Sequence, residues 1–266
     1  MQKVRKPLSR VYIPRTFMGW STKPMQSVSP QYEAEEKITV NGNVDLYAVV
    51  FNRTTETDLT EDQLPQVDIY KYKQVIFVGD SRTEFMENVL TGMGESATKN
   101  VKFVCSAGKG LDWFTTTGWA QLYSIVQHDS NSILSKKTAV IFNFGVNDLS
   151  KSADYAEYYN WIAPQLKSKG CELYFMSVNP VNRLMLPNAG RADRSEAAVR
   201  SFNQYMKANL SSAYTYIDMY SYLKSTGYSF ASDHYGTGTV DDGLHYTTRT
   251  YKRIFAKCMD SLRVPA

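Results

Sequence analysis

Four short stretches carry residue types suited to one chemistry. Gly79-Asp80-Ser81-Arg82 places a hydroxyl where an apolar run gives way to a helical pattern. A serine at such a turn is held out of the sheet, and its own N–H sits at a helix N-terminus, where the dipole favours a developing negative charge. That suits a nucleophile. In Ser106-Ala107-Gly108-Lys109-Gly110 the absence of a side chain lets the backbone come close to a ligand, so the Gly108 N–H can face an oxyanion. Gly145-Val146-Asn147-Asp148 offers a side-chain amide that can donate to the same oxyanion. Asp242-Gly243-Leu244-His245 sets a carboxylate and an imidazole on one side of a turn. The carboxylate can then accept from one ring nitrogen while the other faces the hydroxyl, with Asp241 a competitor for that role. Read singly, each stretch is equally an ordinary turn: Ser81 or Asp80 as an N-cap, Gly108 in a Gly-rich turn, Asn147 in an Asx-turn, His245 a surface histidine beside an aspartate. Read jointly they supply a nucleophile, two oxyanion donors, and a base with its orienter, a set that turns alone rarely assemble.

These residues need a frame that brings them together. From residue 74 onward, short apolar runs at 75–78, 101–105, 139–144, 172–178 and 214–217 alternate with helical patterns at 83–90, 153–167, 194–210 and 247–262. Near-continuous apolar strands separated by helices mean βαβ crossovers, so the expected fold is α/β: a three-layer α/β/α sandwich on a parallel five-stranded sheet. In such sheets ligands bind beyond the C-terminal strand ends, where three of the four stretches fall. The first seventy residues differ. Runs at 37–40 and 44–51 flank the turn signal Asn41-Gly42-Asn43, predicting a hairpin in a small β unit over 1–51. The polar stretch that follows reads as a linker over 52–70, leaving 71–266 as the catalytic domain.

Composition narrows the classes. The chain has 266 residues, 43% hydrophobic and 21% charged, which is the make-up of a folded globular protein and not of a disordered one. Its longest apolar runs fall far short of the roughly 20 residues of a bilayer span. With 30 Lys+Arg against 26 Asp+Glu the net charge is +4, and the basic residues are scattered apart from a group near the start, so nucleic acid is not an expected partner. Cys105, Cys171 and Cys258 are too few and too far apart for a disulfide framework or zinc knuckle, and predict core packing. His128, His234 and His245 are never four apart, so no metal site is expected. Gly92-Met93-Gly94-Glu95-Ser96-Ala97 spells a dinucleotide fingerprint, but follows a helix rather than a strand. An α/β-hydrolase elbow needs Gly where Thr83 stands.

The four stretches resemble the blocks of the SGNH hydrolase family, also called GDSL-type esterases, over about residues 71–266. The match runs through Gly79-Asp80-Ser81, Gly108, Gly145-x-Asn147-Asp148 and Asp242-x-x-His245. The family's GDSL string reads GDSR here, and Ser106 stands where an Asn is often found. The resemblance implies a flavodoxin-like sheet and no cofactor. It also implies Ser81 as nucleophile, His245 as base, Asp242 as its orienter, and an oxyanion hole of the Ser81 N–H, the Gly108 N–H and the Asn147 side chain. The N-terminal segment, from Phe17-Met18-Gly19-Trp20-Ser21-Thr22 through Asn43-Val44-Asp45-Leu46-Tyr47-Ala48-Val49, is similar to the end of a Listeria–Bacteroides repeat. That β-grasp-like unit of Gram-positive surface proteins implies export, with Trp20 packed in its small core; the alternative is a generic hairpin. The basic start lacks the apolar segment of a secretory signal, which by itself fits either an intracellular chain or a trimmed form of an exported one. The resemblance implies an extracellular or cell-surface location, with association to the cell wall through the N-terminal unit.

For substrate, the stretch 225–240 precedes the Asp-His turn and is rich in Gly, Ser, Thr and aromatics. Tyr228, Phe230 and Tyr235 are candidates for stacking on a sugar ring, or else satellite core. Asn179, Asn182 and Arg183, with Asp80 and Arg82 beside the serine, are candidate polar contacts. No long apolar groove is readable, so the expected substrate is a short, acetyl-sized ester on a carbohydrate or cell-wall glycan. A lipase, thioesterase or arylesterase, or a surface glycan-binding or adhesion protein without catalysis, are the alternatives.

Overall fold

Five strands with almost no polar side chain in their middles can only be stable when covered on both faces. The computed structural model describes residues 15–25, 28–34, 36–69, 71–128, 137–231 and 241–262. It places β3 (Tyr72–Gly79), β4 (Val101–Cys105), β5 (Lys137–Asn143), β6 (Cys171–Met176) and β7 (Tyr214–Ile217) in one sheet of order β4-β3-β5-β6-β7. Every neighbouring pair is parallel. Alternate residues feed opposite cores: Val75 and Phe77 of β3 pack on one face, Ile76 and Val78 on the other. The first face is covered by α1 (Ser81–Thr91), α6 (Met219–Thr226) and α7 (Thr248–Ser261), the second by α3 (Trp119–His128), α4 (Ser152–Lys167) and α5 (Glu196–Asn209). A short helix α2 (Leu111–Trp113) and a π-helical turn at Phe114–Gly118 lead into α3. The five strands and four long helices match the expectation; α2, α3 and α6 are elements the sequence pattern did not separate. Cys171 and Cys258 are buried in the two cores as expected, whereas Cys105, at the end of β4, is only half-buried and lies beside Glu87.

The chain runs from β3 out to its neighbour β4 and then crosses to β5 on the other side, so strand order reverses between β3 and β5. That is the switch point where an open α/β sheet binds its ligand, because the two connections depart to opposite faces and leave a crevice.

The N-terminal region departs from expectation in its pairing. β2 (Tyr47–Asn52) pairs antiparallel with β1 (Arg15–Ser21), not with residues 37–40. Val40, Val44 and Leu46 are left exposed, so the expected hairpin buries no apolar face. β1 and β2 instead send Met18, Val49 and Phe51 into the core shared with α1 and α7. A register shift between Phe17 and Gly19 turns Met18 inward, and Trp20 lies 37% exposed against Phe17 instead of filling a core of its own. Residues 52–68 run along α7. Leu64 and Val67 enter the same core, and the Glu56 carboxylate is buried against Arg253, Thr247 and Thr250.

Candidate active site

The turn after β3 is as tight as a strand-to-helix junction can be. A Cβ at Gly79 would run into Thr83 Oγ1 and lie 2.8 Å from the Asn143 carbonyl, so only glycine lets α1 start here. Asp80 caps the helix, its carboxylate accepting the Arg82 N–H at 3.0 Å. Ser81 is the first helical residue. Its N–H belongs to the turn where the helix offers no carbonyl partner.

The Asp-x-x-His turn comes back to this point from the far end of the chain. Gly243 takes a φ of +71°, and a Cβ there would meet the Asn182 carbonyl, so the turn closes only around glycine. Asp242 Oδ1 accepts the Leu244 and His245 N–H groups at 2.9 and 2.8 Å, and its Oδ2 lies 2.7 Å from His245 Nδ1. His245 Nε2 lies 2.9 Å from Ser81 Oγ. The structure therefore brings Ser81, His245 and Asp242 into one hydrogen-bonded line. Their exposures are 5%, 2% and 0%. The Phe85 ring stacks on His245 at 4.3 Å, and the His245 carbonyl accepts the Ala231 N–H at 2.8 Å, so ring and backbone are both held.

Electrostatics match this geometry. Burial pushes His245 below the ordinary histidine value, opposed by the Asp242 carboxylate and reinforced by Arg82 and Arg191. Burial works against the Asp242 charge, but its bonds to His245 and Leu244 outweigh it and hold the carboxyl below the usual range. An ionised Asp242 can only accept, so Nδ1 carries the proton and Nε2 presents its lone pair to the serine hydroxyl. Asp241 is pushed up to about 6 by burial and donates nothing to the dyad; its carboxylate accepts the Gly243 N–H at 2.7 Å and the Asn182 amide at 3.3 Å.

The other two loops meet at the same rim. The Ala107 N–H donates to Glu84 Oε2 at 2.6 Å, tying the loop of Gly108 to α1. Gly108 is exposed, with φ +71°. Asn147 Nδ2 donates to the Lys109 carbonyl at 2.8 Å, so Asn147 and Gly108 are neighbours through Lys109. Asp148 accepts the Leu111 N–H and the Tyr155 hydroxyl at 2.9 and 2.8 Å and thereby fixes the start of α2.

Several candidate substrate contacts are structural. Arg82 is buried, donating to the carbonyls of Leu244, Asn179 and Pro180 at 3.0, 2.8 and 2.8 Å with its guanidinium over the Tyr246 ring. It bolts the His245 turn to α1, since three backbone acceptors use its donors, and so is not a substrate contact. Asp80 is buried as the helix cap, its carboxyl pushed up to about 6 by burial. Tyr228 is 1% exposed and, with Phe230, packs edge-on and stacked around Tyr246 in the core, because the bridge between Phe230 and Tyr246 folds that stretch inward. Arg183 is exposed and forks onto Asp193 at 2.6 Å. Tyr235 lies outside the described residues.

Two arginines escaped the sequence reading. Arg191 Nη2 lies 3.2 Å from Asp242 Oδ2, and Arg194 Nη2 lies 2.9 Å from Asn147 Oδ1. Both come from the segment between β6 and α5: Arg191 lies in a stretch without periodicity, and Arg194, where the helical pattern was read to begin, sits just ahead of the Ser195 cap. Among the described residues, no group of three His, Cys, Asp or Glu side chains is placed to hold a metal ion, and no helix is long and apolar enough to cross a membrane.

Residues 75–258 match the model of the GDSL-like lipase/acylhydrolase family. The chain belongs to this family. No curated protein sequence matches it. Among solved structures, this acylhydrolase-family chain is similar to a candidate SGNH hydrolase from Slackia heliotrinireducens, at 12% identity and a TM-score of 0.51, over 72% of this chain and 100% of that one. It is also similar to a candidate acylhydrolase from Bacteroides fragilis (15% identity, TM-score 0.49, 76% and 93% covered) and to an acetyl xylan esterase (12%, 0.46, 72% and 100%). At these identities the likeness to the Slackia protein is one of fold. The acylhydrolase family assignment accounts for a neutral imidazole set between a serine hydroxyl and a buried carboxylate, an arrangement able to draw a proton off the hydroxyl as it attacks an acyl carbon.

Proposed function

We propose that the protein is a serine esterase that removes short, acetyl-sized acyl groups from a carbohydrate or cell-wall glycan. The observation that carries the chemistry is the line from Ser81 Oγ through His245 to Asp242, at 2.9 and 2.7 Å. Ser81 Oγ attacks the ester carbon as its proton passes to His245 Nε2, and the carbonyl electron pair moves onto oxygen. The oxyanion is received by the Ser81 N–H, the Gly108 N–H and the Asn147 amide, whose loops all leave the same end of the sheet. On collapse the ester C–O bond breaks and His245 returns the proton to the leaving alcohol. Water then repeats the sequence on the acyl-serine and releases the acid.

The glycan carrier is supported by the polar, cationic rim of Asn147, Lys109, Arg191 and Arg194, which suits an oxygen-rich carrier better than an alkyl tail. A place at the cell surface is part of the same proposal, and its support is the resemblance in sequence alone of residues 17–49 to surface repeats. Hydrolysis of 4-nitrophenyl acetate by the wild type and Ser81→Ala tests the chemistry: the variant is expected to lose at least about 10,000-fold in kcat. Equal rates would overturn Ser81 as the nucleophile, and a wild-type rate no higher than background would leave a glycan-binding protein without catalysis. An acyl series from acetate to octanoate, with acetylated xylan and acetylated peptidoglycan, tests the substrate, and a preference for octanoate would overturn the short-acyl reading.

A further inference from the structure

Asn147 has one acceptor and two donors on its amide, and two of the three are already committed. Oδ1 accepts from Arg194 Nη2 at 2.9 Å, and one N–H of Nδ2 goes to the Lys109 carbonyl at 2.8 Å. One N–H remains for an incoming oxyanion. A flipped amide would set NH₂ against a guanidinium that can only donate, and an oxygen against the Lys109 carbonyl, so the flipped state is doubly repelled. The guanidinium is itself fixed by the Val146 carbonyl on Nε at 2.6 Å and the Ala192 carbonyl on Nη1 at 2.9 Å. Ser195, the next residue, caps α5 by accepting the Ala198 N–H at 3.0 Å, so Arg194 stands on the rigid start of a helix.

We infer that Arg194 is the positioning residue of the oxyanion hole: it sets which end of the Asn147 amide faces the reacting carbonyl, and its charge on Oδ1 strengthens the remaining N–H as a donor. The inference rests on the proposed role of Asn147. Hydrogen bonds in series polarise one another, and a cation on the amide oxygen draws density from nitrogen in the same sense as an oxyanion needs. Lysine cannot replace it, because one ammonium on a flexible stem does not span three acceptors lying around a planar fork.

The test is a double-mutant cycle on ester hydrolysis with Asn147→Ala, Arg194→Ala, Arg194→Lys and the Asn147→Ala/Arg194→Ala pair, each checked for a wild-type unfolding midpoint. Asn147→Ala is expected to lower kcat about 100-fold, as loss of one oxyanion donor does. Arg194→Ala and Arg194→Lys are expected to lower kcat roughly tenfold with KM nearly unchanged and the acid limb of the pH profile unmoved, and the pair to be no slower than Asn147→Ala alone. Millimolar guanidinium is expected to restore Arg194→Ala but not the pair. Wild-type kcat in Asn147→Ala would overturn the oxyanion role itself. A slow Asn147→Ala with losses that multiply in the pair, or an Arg194→Ala loss confined to KM, would overturn the role of Arg194 alone.

Discussion

An imidazole can take the serine proton only while neutral, and burial together with Arg82 and Arg191 disfavours the imidazolium of His245. The active fraction falls as pH drops through the folded-state value, and that value lies below the ordinary 6.5, so the acid limb of kcat/KM is expected with its midpoint below 6.5. Arg191 gives this prediction a handle. It lies 3.2 Å from Asp242 Oδ2, where its charge opposes the imidazolium and its N–H competes with His245 for the same oxygen. Arg191→Ala removes both effects, and both removals favour the imidazolium, so the acid limb is expected to move to higher pH. A limb that stays put or moves the other way would show that Arg191 does not act on the dyad. The neighbouring Asp242 and His245 are separated by only three positions, which is why their pairing was legible in the sequence. Arg191 and Arg194 meet partners 51 and 47 positions away, and no local pattern announces contacts at that separation.

At the scale of elements, the serine is presented by the change from β3 to α1, and the turn has no room to spare. Gly79→Ala puts a methyl group into Thr83 Oγ1 and 2.8 Å from the Asn143 carbonyl on the paired strand β5. The cost is expected to be about 1–3 kcal/mol of stability, as for other forced overpacking, with a drop in kcat because the first turn of α1 must shift and carry Ser81 with it. Urea midpoints and turnover measured together check both. Adding Thr83→Ala is expected to recover only part of either, since the carbonyl stays. The frame that holds this turn was readable because buried parallel strands are short and largely apolar, and the loops at their carboxyl ends are where the chemistry-bearing residues stood. What was not readable has local causes. The Thr-Thr-Thr-Gly run inside Phe114–Gly118 breaks the helical period before α3 starts, and α6 has only 8 residues, too few to show one. The 41–43 turn signal suggested a hairpin, yet β2 pairs with β1, which brings Met18 into the core beside Val49 and Phe51, while Val40 stays exposed.

For the molecule as a whole, polarity was a poor guide to which segments matter for stability. Residues 52–68 look like a linker by composition, but their polar groups meet the buried polar groups of α7. The Glu56 carboxylate is fully covered and pairs with Arg253 at 3.0 Å, and Arg253 also donates to the Gly227 carbonyl at 3.0 Å. Asp58 takes Lys252 at 2.7 Å. Lys224 of α6 reaches back to the Met18 carbonyl at 2.5 Å and to Glu33 at 2.6 Å, so the N-terminal strands are fastened to the same face. Because α7 follows directly on the His245 turn, this strap and the Ser81–His245–Asp242 line share one support. Glu56→Ala leaves a buried guanidinium without its carboxylate, which typically costs about 3–5 kcal/mol, whereas Glu56→Gln keeps an acceptor for Thr250 and Arg253 and is expected to cost less. Denaturant midpoints followed by tyrosine and tryptophan emission rank the three proteins. If the segment served only to connect two independent units, both variants would unfold at the wild-type midpoint.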